Sequence, residues 1–165
     1  MHNFGFLDTI VGGTGIDTLV FNGANIGETF TAGPNGGHVR FTRNIGAVVL
    51  DLDDVERMDL VARGGSDVLT VDDLAGTDLV RLAVDLGGLD SSPDTVIVNG
   101  TAAADVISVA SVTGGVEASR TGGAITRVTG AELGLDTMVV NGLAGNDVID
   151  VQPGVDALIA LVLNP

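Results

Sequence analysis

The chain has 165 residues, enough for one domain with a sizeable core, and a formal net charge of −15. Eighteen Asp face seven Arg, with no Lys and no Cys. That balance leaves little to neutralise the phosphates of duplex nucleic acid and excludes disulfide and thiol chemistry. No run of 18 apolar residues occurs, so no transmembrane segment is expected. Apolar content of 45% is too high for a disordered chain.

The first informative stretch is 12–20, Gly-Gly-Thr-Gly-Ile-Asp-Thr-Leu-Val. It fits the nonapeptide G-G-x-G-x-D-x-U-x, with U a large apolar residue, at each fixed position. Glycine supplies the positive φ of a tight turn and lets carbonyls approach an ion. Asp17 offers a hard carboxylate oxygen of the kind Ca²⁺ prefers, and Leu19 is the residue a strand would bury.

The second half of that motif, Asp-x-apolar, then recurs along the chain. It begins at Asp8, Asp17, Asp67, Asp94, Asp105, Asp136 and Asp147, with relatives at Glu28 and Asp78. A longer period lies above it. The string D-T-x-V-x-N-G at 17–23 matches 94–100, with Ile97 in place of Val, at an offset of 77, and recurs at 136–142. The string at 65–69 matches 145–149 at an offset of 80. One domain spanning 1–165 is expected, with two degenerate repeat halves near 17–88 and 94–164. Short β-prone runs follow one another at 18–21, 39–42, 47–52, 68–71, 79–86, 95–98, 106–109, 125–128, 137–140, 148–151 and 158–163. Gly, Asn or Asp bounds many of them, and strands at this spacing belong to sandwiches, barrels or solenoids. The repetition selects the solenoid, in which like turns stack and bury a continuous core.

These residues resemble the haemolysin-type, repeats-in-toxin (RTX) calcium-binding repeats of large bacterial secreted and surface proteins. The resemblance rests on 12–20, with remnants at 65–69 and 145–149. It implies an all-β fold, a right-handed parallel β-roll or β-helix, with Ca²⁺ held between turns. The ligand candidates are Gly13, Gly15 and Asp17, followed by Asp8, Asp67 and Asp147. For Asp67 and Asp147 the competing role is closing their own turns by accepting backbone N–H groups. A secreted or cell-surface location follows from the same resemblance.

Parallel β-helices also host polysaccharide-acting enzymes. The sequence has no Trp or Tyr to stack a sugar, no Lys, and only two His, of which His38 sits in the Gly-rich stretch 34–38. The expectation is a non-catalytic structural module. An adhesin-type module recognising a cell-surface polysaccharide is the alternative, and a polysaccharide-acting enzyme the lesser one. The Thr residues of the D-T motifs (9, 18, 95 and 137) look too far apart to form one binding row. All five Phe lie in the first quarter, where they should fill one end of the core, and Arg40, Arg43, Arg57 and Arg63 cluster in sequence as counter-charges or an anion site. The uncharged run at 157–163 reads as an open strand edge, which favours end-to-end self-association into filaments or arrays.

Overall fold

The computed structural model describes residues 7–165. It is all-β, with 51% of residues in strands. The strands are β1 (Leu7–Val11), β2 (Thr18–Asn22), β3 (Thr29–Asn35), β4 (His38–Arg43), β5 (Val48–Asp53), β6 (Arg57–Val61), β7 (Val68–Val71) and β8 (Arg81–Asp85). The second half of the chain continues with β9 (Thr95–Asn99), β10 (Val106–Val112), β11 (Gly115–Arg120), β12 (Ile125–Thr129), β13 (Thr137–Asn141), β14 (Val148–Val151) and β15 (Ala160–Asn164). Helical geometry among the described residues is confined to 3₁₀ turns at Ile45–Ala47 and Val155–Ala157.

Two open, mixed sheets form. Sheet A has the order β1-β5-β4-β3-β7-β9-β13-β15, and sheet B the order β14-β10-β11-β12-β8-β6-β2. Nine strand pairs are parallel. Four are antiparallel, and these correct the expectation of a purely parallel stack. The physical reason is local. β3 and β4 are joined by the two-residue loop Gly36-Gly37, with Gly36 at φ 67°, and β10 and β11 by Thr113-Gly114, with Gly114 at φ 81°. Two-residue loops with positive φ close a hairpin and cannot carry a parallel crossover.

The two antiparallel meanders occupy equivalent places. β3-β4-β5 lies in sheet A and β10-β11-β12 in sheet B, starting 77 residues apart. Strands β2 to β8 alternate B-A-A-A-B-A-B, and β9 to β15 alternate A-B-B-B-A-B-A. The second half therefore repeats the first with the sheets exchanged.

Alternate side chains from both sheets fill one apolar cluster, including Phe30, Phe41, Met58, Leu69, Leu82, Val96, Ile107 and Met138, each at most 2% exposed. Phe21, Phe30 and Phe41 pack together with centroid separations of 4.9–6.2 Å, while Phe4 and Phe6 lie outside the described residues. Burial weakens toward the sheet ends. Leu19 and Phe21 of β2, Ile149 and Val151 of β14 and Leu161 of β15 are only partly buried.

Candidate functional site

The D-T-x-V-x-N-G string acquires a structural meaning once the sheets are in place. Glu28, Asp67, Asp94 and Asp136 immediately precede β3, β7, β9 and β13, which are neighbours in sheet A. In-register parallel strands set such residues about 4.8 Å apart in a column. Glu28 N–H donates to Asp67 Oδ1 (2.7 Å), Asp67 N–H to Asp94 Oδ1 (2.7 Å), and Asp94 N–H to Asp136 Oδ1 (2.8 Å). Each carboxylate thus accepts the backbone donor of the acidic residue one strand away. All four residues are at most 2% exposed.

The column is closed at both ends. Arg43, from the middle strand of the meander, pairs with Glu28 Oε1, while Ala24 N–H donates to Glu28 Oε2 (2.6 Å). At the far end Asp136 Oδ2 accepts Glu132 N–H (2.6 Å), and Asp136 N–H donates to the Glu132 carbonyl (3.0 Å).

A second column lines the opposite end of the same strands. Asn164 Nδ2 donates to Asn141 Oδ1, Asn141 Nδ2 to Asn99 Oδ1, and Asn99 Nδ2 to Asp72 Oδ1, at 2.8–2.9 Å. Asp and Asn at the two ends of the string therefore bracket each strand with stacked side-chain hydrogen bonds. The Gly that follows Asn makes room for the next carboxylate. A Cβ on Gly100 would lie 2.7 Å from Asp105 Oδ2, and one on Gly142 2.5 Å from Asp147 Oδ2.

Sheet B carries shorter columns. Asp105 N–H donates to Asp147 Oδ1 (2.8 Å), and Asp17 N–H to Glu56 Oε2 (2.7 Å). Arg120 covers Asp105 (3.4 Å) as Arg43 covers Glu28, and it also pairs with Asp73 (2.7 Å). Asp17 Oδ2, Asp67 Oδ2 and Asp147 Oδ2 are buried without a hydrogen-bond partner among the described residues.

Stacking buried carboxylates beside a single Arg perturbs their titration. Burial pushes Asp94 up to about 7 and Asp67 up to about 6, with the neighbouring carboxylates adding to both shifts.

The expected ligand set does not converge. Asp8 is exposed on edge strand β1, opposite Leu50. Gly13 and Gly15 take the positive φ of the turn, 91° and 132°, and Asp17 follows them. Asp67 and Asp147 belong to different columns, in sheets A and B, and each accepts a neighbouring strand's N–H.

A different acidic group does converge. Among the described residues Asp53, Asp54 and Asp78 each offer an oxygen, all within 4.8 Å of one another. Asp54 N–H donates to Asp78 Oδ2 (3.3 Å), with Asp54 held at φ 51°. The nonapeptide turn packs directly on it. Gly12 N–H donates to the Asp53 carbonyl (2.9 Å), and a Cβ on Gly12 would fall 1.9 Å from the Asp54 carbonyl oxygen, so only Gly fits. His38, in the β3–β4 hairpin, bridges Asp51 (3.1 Å) and Asp53 (3.0 Å). Its hydrogen bond to Asp51 raises its pKa; burial opposes the rise, and the charges of Asp53, Asp51 and Asp78 add to it. Asn35 Nδ2 donates to Asp51 Oδ1 (2.7 Å); this bond, then the one to His38, holds Asp51 below the usual carboxylate range. An all-carboxylate, partly exposed oxygen set suits a hard divalent cation.

Other sequence clusters disperse. Arg43 pairs with Glu28 and Arg63 lies 3.4 Å from the Asn22 side chain, whereas Arg40 and Arg57 stand on strands of different sheets. Thr95 and Thr137, 42 positions apart in sequence, are direct register neighbours on sheet A, so sequence distance was a poor guide to their spacing. Sequence reasoning passed over Asp53 and Asp54, although 53–55 fits Asp-x-apolar, and took up Asp78 only as a relative of the motif. Comparison with protein-family models, curated proteins and solved structures gives no match.

Proposed function

We propose that this chain is a non-catalytic structural module, a β-solenoid of degenerate RTX-like repeats in a secreted or cell-surface bacterial protein. The observation that carries the reading is the closed carboxylate column. Its acidic side chains point along the stack to backbone donors of adjacent strands and so join successive strands. Catalytic carboxylates would instead converge across a cleft at a fixed separation. The alternation of the chain between two sheets and the nine parallel pairings support the solenoid, with a meander inserted once per repeat half.

Ca²⁺ enters this reading at Asp53, Asp54 and Asp78, under the glycine turn, and its role is to order that end of the stack. Calorimetric titration with Ca²⁺, paired with thermal melts before and after chelation, tests it. A Ca²⁺-dependent rise in melting temperature is expected by mass action on the folded state. Asp78→Asn should abolish the rise and Asp17→Asn should preserve it. No heat of binding and no chelator effect would remove Ca²⁺ from the reading. Incubation with neutral and uronate-containing polysaccharides, read by release of new reducing ends, tests the rest; sustained turnover would overturn the non-catalytic assignment.

The adhesin-type alternative draws on one observation. The outward-facing row Thr29, Val68, Thr95, Thr137 and Ala160 runs in register across five parallel strands of sheet A, a regular face of hydroxyl and aliphatic groups.

A further inference from the structure

The two repeat halves meet inside the molecule where β7 pairs with β9, and that junction is a template for a second one. Its register is Val68↔Thr95, Leu69↔Val96, Thr70↔Ile97 and Val71↔Val98. Asp67 N–H donates to Asp94 Oδ1 (2.7 Å), and Thr95 N–H to the Asp67 carbonyl (2.8 Å). The counterparts of β7 and β9 at offsets of 80 and 77 are β14 and β2. Both are sheet-B ends, each with one edge unpaired among the described residues. The ladder bonds around them already repeat the internal pattern. Asp105 N–H to Asp147 mirrors Glu28 N–H to Asp67, and Asp17 N–H to Glu56 mirrors Asp94 N–H to Asp136. Only the junction bond itself lacks a counterpart within the chain. Asp17 Oδ2 is buried without a partner at one end, and the core residues Leu19, Phe21, Ile149 and Val151 are incompletely covered at the two ends.

We infer that β14 of one copy pairs in parallel with β2 of a second copy of this chain, reproducing the β7–β9 junction between molecules. The register is Val148 opposite Thr18, Ile149 opposite Leu19, Asp150 opposite Val20 and Val151 opposite Phe21. Asp147 N–H then donates to the second copy's Asp17 carboxylate, and Gln152 meets Asn22 where Asp72 meets Asn99 inside. The contact is head-to-tail and does not close on itself, so it builds chains of copies. Inside the molecule β8 lies between β6 and β12, the counterparts of β13 and β5. Its own counterpart, β15, therefore takes the place on the second copy's β5 that β1 fills. β1 gives way readily, because Asp8, Thr9 and Val11 are exposed and Ile10 is only partly buried. This inference rests on the structural-module reading and names the surface through which such modules join. Two copies at a net charge of −15 repel, so association should strengthen as salt screens them.

The chain has no Cys, so single cysteines report the register without background. Thr18→Cys and Val148→Cys variants, mixed at high salt and oxidised, should give an 18–148 cross-linked pair in clear excess over 18–18 and 148–148 pairs. Val106→Cys places an equally exposed thiol on interior strand β10, and should not cross-link to Cys at 18. Sedimentation of the unmodified chain should show mass rising with concentration. Val20→Pro, which removes an edge N–H that has no partner among the described residues, should weaken association at least about tenfold while leaving circular dichroism unchanged. A strictly monomeric chain, or cross-linking no greater than that of the Val106 control, overturns the inference. If either result accompanies intact Ca²⁺ binding and unchanged ladder-variant stabilities, the structural-module reading stands and only this contact falls.

Discussion

The acidic columns of the two sheets are built from the same repeat but end differently. In sheet A the column Glu28–Asp67–Asp94–Asp136 is four residues long, buried, and closed by Arg43 at one end and the Glu132 turn at the other. In sheet B the β10–β12 meander separates Asp17–Glu56 from Asp105–Asp147, and both short columns stop at open sheet edges. The difference teaches that an Asp-x-apolar repeat has no fixed role. Its carboxylate ties strands together where another acidic residue follows in register, and it is left unpaired where the sheet ends.

Substitutions should separate the two situations, and the largest effect belongs to the closed end. Arg43→Met removes the one cation on a buried carboxylate and should cost about 3–5 kcal/mol in chemical denaturation, because an uncompensated buried charge remains. Asp136→Ala strips the acceptor from two backbone donors, Asp94 N–H and Glu132 N–H, and should cost about 2–4 kcal/mol. The matching change at the open edge, Asp17→Ala, removes no hydrogen bond that the side chain makes among the described residues. It should cost less than about 1 kcal/mol in the monomer. Equal losses at Asp136 and Asp17 would erase the distinction between closed and open columns.

Much of the fold was legible in the sequence. Each of the eleven β-prone runs overlaps a strand, and the offsets of 77 and 80 mark strands with equivalent neighbours. Four strands, β1, β3, β6 and β11, fall outside those runs, and the least legible were β6 and β11. Their outward positions carry Arg57 and Asp59, and Glu117 and Ser119, so alternation with Met58, Leu60, Val116 and Ala118 was masked by charge. The antiparallel meanders did leave a signal in Gly36-Gly37 and Thr113-Gly114, which a search for parallel repeats passes over. The candidate site was legible only in part. Gly12 and the turn were visible, but Asp53 and Asp54 reach it through the pairing of β1 with β5, across some 40 positions of sequence. Spacing rules carry no information about such a contact.

A further effect should follow pH. Asp67 and Asp94 titrate higher in the folded chain than when unfolded, so the folded state holds more protons between about pH 4 and 7. Their favourable contribution is fully present below about pH 4 and is lost as pH rises through about 6 and 7. Asp94→Asn keeps an oxygen for Asp67 N–H but removes the charge. It should stabilise the protein by about 1–3 kcal/mol at pH 8, and by little at pH 4. A variant destabilised at pH 8 but not at pH 4 would mean that the Asp94 charge is itself stabilising, and equal destabilisation at both values would mean that Asp94 acts through contacts independent of its charge.

The most direct test of the closed column is a carbon-13 NMR titration of the aspartate side-chain carboxyls. The account predicts two apparent midpoints, near 6 and 7, belonging to the Asp67–Asp94 pair, and in Asp94→Asn the loss of one of them while a raised midpoint for buried Asp67 remains. Titration of every Asp near 4 would contradict a buried, stacked column and remove the basis for reading the repeat as a strand-to-strand ladder.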